Sequence, residues 1–137
     1  VLMASGEELP ENVKVIIADC GYTSEWDEFK CEANALHIPW FPVLNAASVM
    51  SRLRDGYDFK QASALEQVKQ SRIPTLFIHG SDDELVPYSM LDKLYSAAAC
   101  EKECLTVDGA GHALSSSVEP ELYWNTVESF IEKYSAK

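Results

Sequence analysis

The chain has 137 residues, 47% of them hydrophobic, and its 11 basic and 22 acidic side chains give a net charge of −11. A chain of this length buries about two-thirds of its unfolded surface and needs no disulfide to hold a core. Arg52 and Arg54 make the only cluster of cations, so neither nucleic acid nor an anionic membrane is an expected partner.

Val1 to Leu9 reads as the last turns of a helix closed by Gly6, and the opening Val-Leu-Met-Ala-Ser-Gly is unlike a natural start. Val13 to Cys20 is the first predicted strand, with Val15 to Ala18 a continuous apolar run. Gly21 ends it, and Thr23, Ser24 or Asp27 caps the next helix, Glu25 to Leu36. His37-Ile-Pro-Trp-Phe-Pro carries two prolines and breaks that helix. Leu44, Ala47, Met50 and Leu53 recur at helical spacing and predict a second helix stopped by Gly56, and Ser63 to Val68 a third. Residues 26–70 therefore form a helical insertion without a strand, longer than an ordinary crossover and of the kind that serves as a lid or binding loop.

The second strand is Thr75 to His79, an apolar run bounded by Pro74 and Gly80 and suited to burial on both faces. Pro87 opens a helix whose Leu91, Leu94, Tyr95 and Ala98 share a face. Cys104 to Val107 is the third strand, followed by the glycine-rich turn Asp108-Gly-Ala-Gly-His112. Ser117 is placed to cap a closing helix with Tyr123, Val127, Phe130 and Tyr134 on one side. The alternation predicts an α/β fold, a three-stranded mostly parallel sheet with flanking helices and right-handed crossovers. Cys20, Cys31, Cys100 and Cys104 contain no CxxC pair. That spacing points to reduced thiols, a cytoplasmic setting and no metal site. No apolar run approaches the ~18 residues of a membrane helix.

Parallel strands put Asp82, Asp83 and His112 at the same carboxyl edge, where sites in such sheets are built. Consecutive strands usually neighbour each other at ~5 Å, so a carboxylate and an imidazole on their loops can meet. Such a carboxylate fixes the tautomer of the imidazole and stabilises its protonated form. Against this stands a plain reading, a surface acidic turn and a loop histidine. His79 ends a buried strand and reads as packing, and Ser115, Ser116 and Ser117 read as capping residues.

His79-Gly-Ser-Asp-Asp-Glu-Leu-Val-Pro87 followed by Gly109-Ala-Gly-His112 resembles the acid and histidine loops of the α/β-hydrolase superfamily, most closely its bacterial esterase-like and peptidase-like members. Asp19-Cys-Gly-Tyr-Thr-Ser24 and Gly56-Tyr-Asp-Phe-Lys-Gln-Ala-Ser63 fit the same group. The resemblance implies that Asp83 is the triad acid, His112 the general base and Asp82 a bystander, on a small-molecule ester or amide substrate with no cofactor. It covers residues 1–137 but only the second half of the family fold. The family's Gly-x-Ser-x-Gly elbow has no counterpart here, Met3-Ala-Ser-Gly6 being the nearest approach, so the nucleophile is expected upstream of residue 1 and the chain alone is expected to be inactive. The insertion resembles a cap, with Tyr22, Trp26, Trp40 and Phe41 as substrate-binding candidates, joined by Phe29 and Phe59. Those aromatics either line an apolar acyl or aryl pocket or pack the lid on the sheet. A second reading is a non-catalytic acidic module that self-associates or binds a partner through the open edge of its first strand, where Val15 and Ile17 are apolar.

Overall fold

The computed structural model describes residues 1–135. After a short 3-10 helix at Leu2–Ala4, the elements run β1 (Ile16–Asp19), α1 (Glu25–Ala35), α2 (Trp40–Asp55), α3 (Ala64–Gln70), β2 (Thr75–Gly80), α4 (Ser89–Ala97), β3 (Lys102–Val107), α5 (Ser115–Val118) and α6 (Pro120–Ser135). The sheet has the order β1-β2-β3 with both pairings parallel. Ile78 stands opposite Asp19 on one side and Leu105 on the other. The three carboxyl ends therefore lie level at one edge.

Every residue of β2 is buried, which is why this strand reads as an unbroken apolar run rather than an alternation. Its side chains still divide between two layers. Leu76 and Ile78 join Leu105, Val107, Val127, Phe130 and Tyr134 under α6. Phe77 joins Ile16, Ala18, Val68, Leu91 and Leu94 under α3 and α4. The helical spacing of Val127, Phe130 and Tyr134 thus serves the purpose the sequence suggests, and all three are buried.

Several boundaries differ from expectation. β1 is shorter than Val13 to Cys20, because its partner begins only after Pro74 and the first ladder bond is Ile16 N–H to the Pro74 carbonyl. β3 starts earlier, at Lys102. It is an edge strand whose Cys104 and Thr106 are exposed, so its first residues need not be apolar. Lys102 also sends its ammonium to the Ala98 carbonyl at the end of α4, 2.8 Å away, where a cation meets the negative end of the helix dipole. Leu2–Ala4 forms one 3-10 turn, and Ser5 spends its hydroxyl on the Leu2 carbonyl at 2.8 Å. Ser117 lies within α5 and does not cap α6, which starts at Pro120.

Within the insertion, Ser24 caps α1 by accepting from Asp27 N–H. The backbone of Phe41 is extended, so regular helix in α2 begins at Pro42, as expected where a proline pushes its predecessor out of the helical region. Gly56 ends α2 at φ 86°, a left-handed conformation that glycine takes without strain. The insertion closes on itself at its base, where Glu25 N–H bonds to Ala62 O and Trp26 N–H to Phe59 O. α3 lies beyond that closure. Its Ala64 and Val68 belong to the sheet's own core, so this last predicted helix of the insertion is part of the body.

Phe130, 1% exposed at the centre of the layer under α6, gives the fold its most direct test. Phe130→Ala is expected to cost about 3–5 kcal/mol, read as a lowered midpoint in urea unfolding with an unchanged slope.

Candidate active site

The loop after β2 carries Asp83, and its backbone folds around that carboxylate. Asp83 Oδ1 accepts Leu85 N–H at 3.0 Å and Val86 N–H at 2.8 Å. The loop after β3 brings His112 across, and its Nδ1 lies 2.9 Å from Asp83 Oδ2. A carboxylate accepts, so the proton sits on Nδ1 and leaves Nε2 as an open acceptor. The Asp83 side chain is fully buried while that of His112 is 37% exposed. The pair is a sealed acid behind an accessible base.

The two loops are joined along their length. Ser81 N–H bonds to Val107 O and Asp82 N–H to Ala110 O, both at 3.0 Å, so the β2–β3 ladder runs on past the strand ends. Ser81 Oγ accepts Gly109 N–H at 2.8 Å and donates to Asp82 or Asp108. A Cβ on Gly80 would collide with the carbonyl of Ala110, and only glycine permits so close an approach. Asp82 accepts from Ser81 Oγ in this surface network, whereas it is Asp83 that meets His112.

Two residues that sequence reasoning did not place in a site stand behind the pair. Cys20 follows β1 at φ 52° and accepts Ala113 N–H on its sulfur at 3.2 Å, directly after His112. Its thiol also lies 3.2 Å from Asp19 Oδ1, and Tyr123 donates to Asp19 Oδ2 at 3.1 Å. His79, fully buried, directs Nε2 at the Val86 carbonyl at 2.9 Å and lies 3.3 Å from Asp83 Oδ2. The only hint in the sequence is position: each residue occupies the carboxyl end of a strand.

Burial works to raise the Asp83 carboxyl, but hydrogen bonds from Val86 N–H, His112 and Cys20, with the charge of His112, hold it below the ordinary carboxylate range. Burial pushes the Cys20 thiol up to about 12, the Asp19 carboxylate adding to the effect against the pull of Ala113 N–H. Ligand atoms of Cys20, His79 and Asp83 lie within 4.8 Å of one another. Both oxygens of Asp83 are already taken by N–H donors, Oδ1 by Leu85 and Val86 and Oδ2 by His112.

α1 runs beside the pair. Burial and then the Glu32 carboxylate raise the Glu28 carboxyl, and the His112 imidazole draws it back. Glu28, which the sequence reading passed over, therefore lies within electrostatic reach of the base. Beyond it, between α1 and α2, an apolar cleft of about 330 Å³ is lined by Phe29, Leu36, Ile38, Trp40, Val43 and Phe59 among others. Of the predicted binding aromatics, Trp40, Phe29 and Phe59 line this cleft. Trp26 packs edge-on against Trp40 at 6.4 Å, under Lys60, and lines a different depression with Val49 and Arg52. Phe41 is 66% exposed. Tyr22 borders a separate hollow at the end of β1, with Leu2, Ala18 and Cys20. Trp26 and Trp40 thus join α1 to α2, and Phe29 of α1 packs on Phe59.

The family model for serine aminopeptidases of the S33 group (Hydrolase_4) matches residues 51–120, just over half of the chain and the part that holds both loops. The chain belongs to this family of α/β-hydrolases. It is 27% identical over 132 residues to the uncharacterized Bacillus subtilis protein YqkD, covering 96% of this chain and 43% of that protein. To human α/β hydrolase domain-containing protein 17C it is 29% identical over 106 residues, 75% of this chain and 32% of the relative. The chain thus spans less than half the length of these relatives. Its fold matches the esterase domain of a Rhodothermus marinus protein at a TM-score of 0.69 and 22% identity, over 98% of this chain and 55% of that one. It also matches a Pyrococcus horikoshii acylaminoacyl peptidase at 0.65 and 14%, over 94% and 21%. The three parallel strands accordingly match part of an α/β-hydrolase sheet.

The depressed Asp83 carboxyl ties stability to pH. Its ionised form is favoured by folding, so its contribution is complete above the ordinary carboxyl value of 3.8 and is lost as pH falls through the lower folded value. Asp83→Asn is expected to reduce stability at neutral pH and to flatten the acid-side decline, both read from thermal melts across pH 2–6.

Proposed function

We propose that the full-length protein hydrolyses a carboxylic ester or amide through an acyl-enzyme, with His112 as general base and Asp83 as the acid that orients it. The observation that carries this is the 2.9 Å contact from His112 Nδ1 to a fully buried Asp83, on a histidine whose side chain is 37% exposed. In this reading a nucleophile, serine by family resemblance, attacks the carbonyl carbon while His112 Nε2 takes its proton. The imidazolium, stabilised by Asp83, then protonates the leaving alcohol or amine as the tetrahedral intermediate collapses. Water repeats the sequence in reverse roles and releases the acid. The 137 residues contain no Gly-x-Ser-x-Gly, and in this reading the nucleophile belongs to another part of the full-length protein. The apolar lining of the α1–α2 cleft supports a substrate with an aliphatic or aryl acyl group.

Asp83→Asn and His112→Ala in the full-length protein are expected to lower kcat on short p-nitrophenyl esters by at least about 10³-fold, with near-wild-type melting for His112→Ala. Full rates in both would remove the assignment.

A second reading rests on β1, which among the described residues pairs only with β2. An unpaired edge invites another strand, and the isolated 137-residue chain is expected to self-associate there. Sedimentation at high micromolar concentration checks this, and a monomer throughout would dismiss it.

A further inference from the structure

We infer that His79 is a positioning residue for the acid–histidine pair, acting through the turn that grips Asp83. The inference rests on the function proposed above and extends it to a residue with no assigned role. The ring of His79 is 0% exposed and packs edge-on against Tyr88 at 5.8 Å. Its Nε2 faces the Val86 carbonyl at 2.9 Å. A carbonyl only accepts, so the proton is on Nε2, and Nδ1 is left as a buried acceptor with no hydrogen-bond partner.

The same peptide segment that His79 holds does the holding of Asp83. Val86 offers its carbonyl to His79 and its N–H to Asp83 Oδ1 at 2.8 Å, and Leu85 N–H joins at 3.0 Å. Val86 is itself 1% exposed, so no solvent can replace the imidazole there. With Oδ1 pinned by two N–H groups, only Oδ2 remains to meet His112. His79 Nε2 also lies 3.3 Å from that same Oδ2. Tyr88 in turn shares a 2.7 Å hydroxyl hydrogen bond with Thr106 of β3, so the ring is wedged between the acid loop and the strand that delivers His112. A buried orphan Nδ1 costs free energy. That cost goes with a gripping donor on the other side of the ring, whereas an apolar residue of similar size would fill the space without it.

The test compares two substitutions in the full-length protein. Gln places an amide N–H near the position of Nε2, whereas Phe fills the ring volume without a donor. His79→Phe is expected to lower kcat about 10- to 100-fold at unchanged KM, per folded molecule, since a small displacement of a reacting group has effects of that order. His79→Gln is expected to recover most of the loss. Equal kcat in wild type and His79→Phe, or equal impairment in folded His79→Gln and His79→Phe, overturns the inference. Nitrogen-15 NMR of histidine-labelled wild-type protein provides a reading that needs no variant to fold. With the ring identified through its contact with Tyr88, a proton on Nε2 supports the inference and a proton on Nδ1 overturns it. Loss of activity in Asp83→Asn without any in His79→Phe removes only this inference, whereas full activity in Asp83→Asn removes the proposed function beneath it.

Discussion

The parallel pairing of β2 with β3, and its continuation past the strand ends, is what the site depends on. Gly80 lets the backbone of one loop rest on the Ala110 carbonyl of the other, and Ser81, Asp82 and Gly109 close the remaining gap with hydrogen bonds. Asp83 and His112 are 29 residues apart in sequence, yet their separation is set by a few backbone bonds at level strand ends. Any substitution that parts the loops acts on the pair without touching either side chain.

Within that frame the electrostatics are backbone electrostatics. A buried carboxylate without compensation would take up a proton. Asp83 has no Lys or Arg partner among the described residues and stays ionised because two peptide N–H groups and an imidazole face it. Backbone donors neutralise the charge without supplying a competing cation, so the carboxylate's field remains available to His112. Cys20 contributes from β1 by receiving Ala113 N–H, which fixes the chain on the far side of the histidine. Its high thiol value and burial suit that supporting part and not the chemistry of a nucleophile.

The insertion follows a different economy. α1 has no buried residue, and its attachment comes from base hydrogen bonds and an aromatic seam with α2. Phe29 meets Phe59 at 4.8 Å, and Trp26 meets Trp40. Many apolar side chains of α2, such as Val43, Met50 and Leu53, remain exposed. A segment with few buried contacts opens at lower free energy than the sheet beneath it.

What the sequence determined by itself was everything that repeats or punctuates. The apolar runs, helical spacings, prolines and glycines specify three strands, their order and the crossovers between them, and with parallel topology they bring Asp83 and His112 to one edge. The choice of Asp83 over Asp82 comes from the family resemblance and not from periodicity. Tertiary structure decided what depends on partners far along the chain. β1 starts only where the strand beside it starts, at the Ile16–Thr75 pair, and α3 joins the core because Ala64 and Val68 find Phe77 and Leu94. Cys20 and His79 enter the site because a strand end points wherever the neighbouring loops allow. No periodicity encodes such contacts, since each is a meeting of single atoms across a fold, and a side chain cannot announce its acceptor before the chain has closed around it.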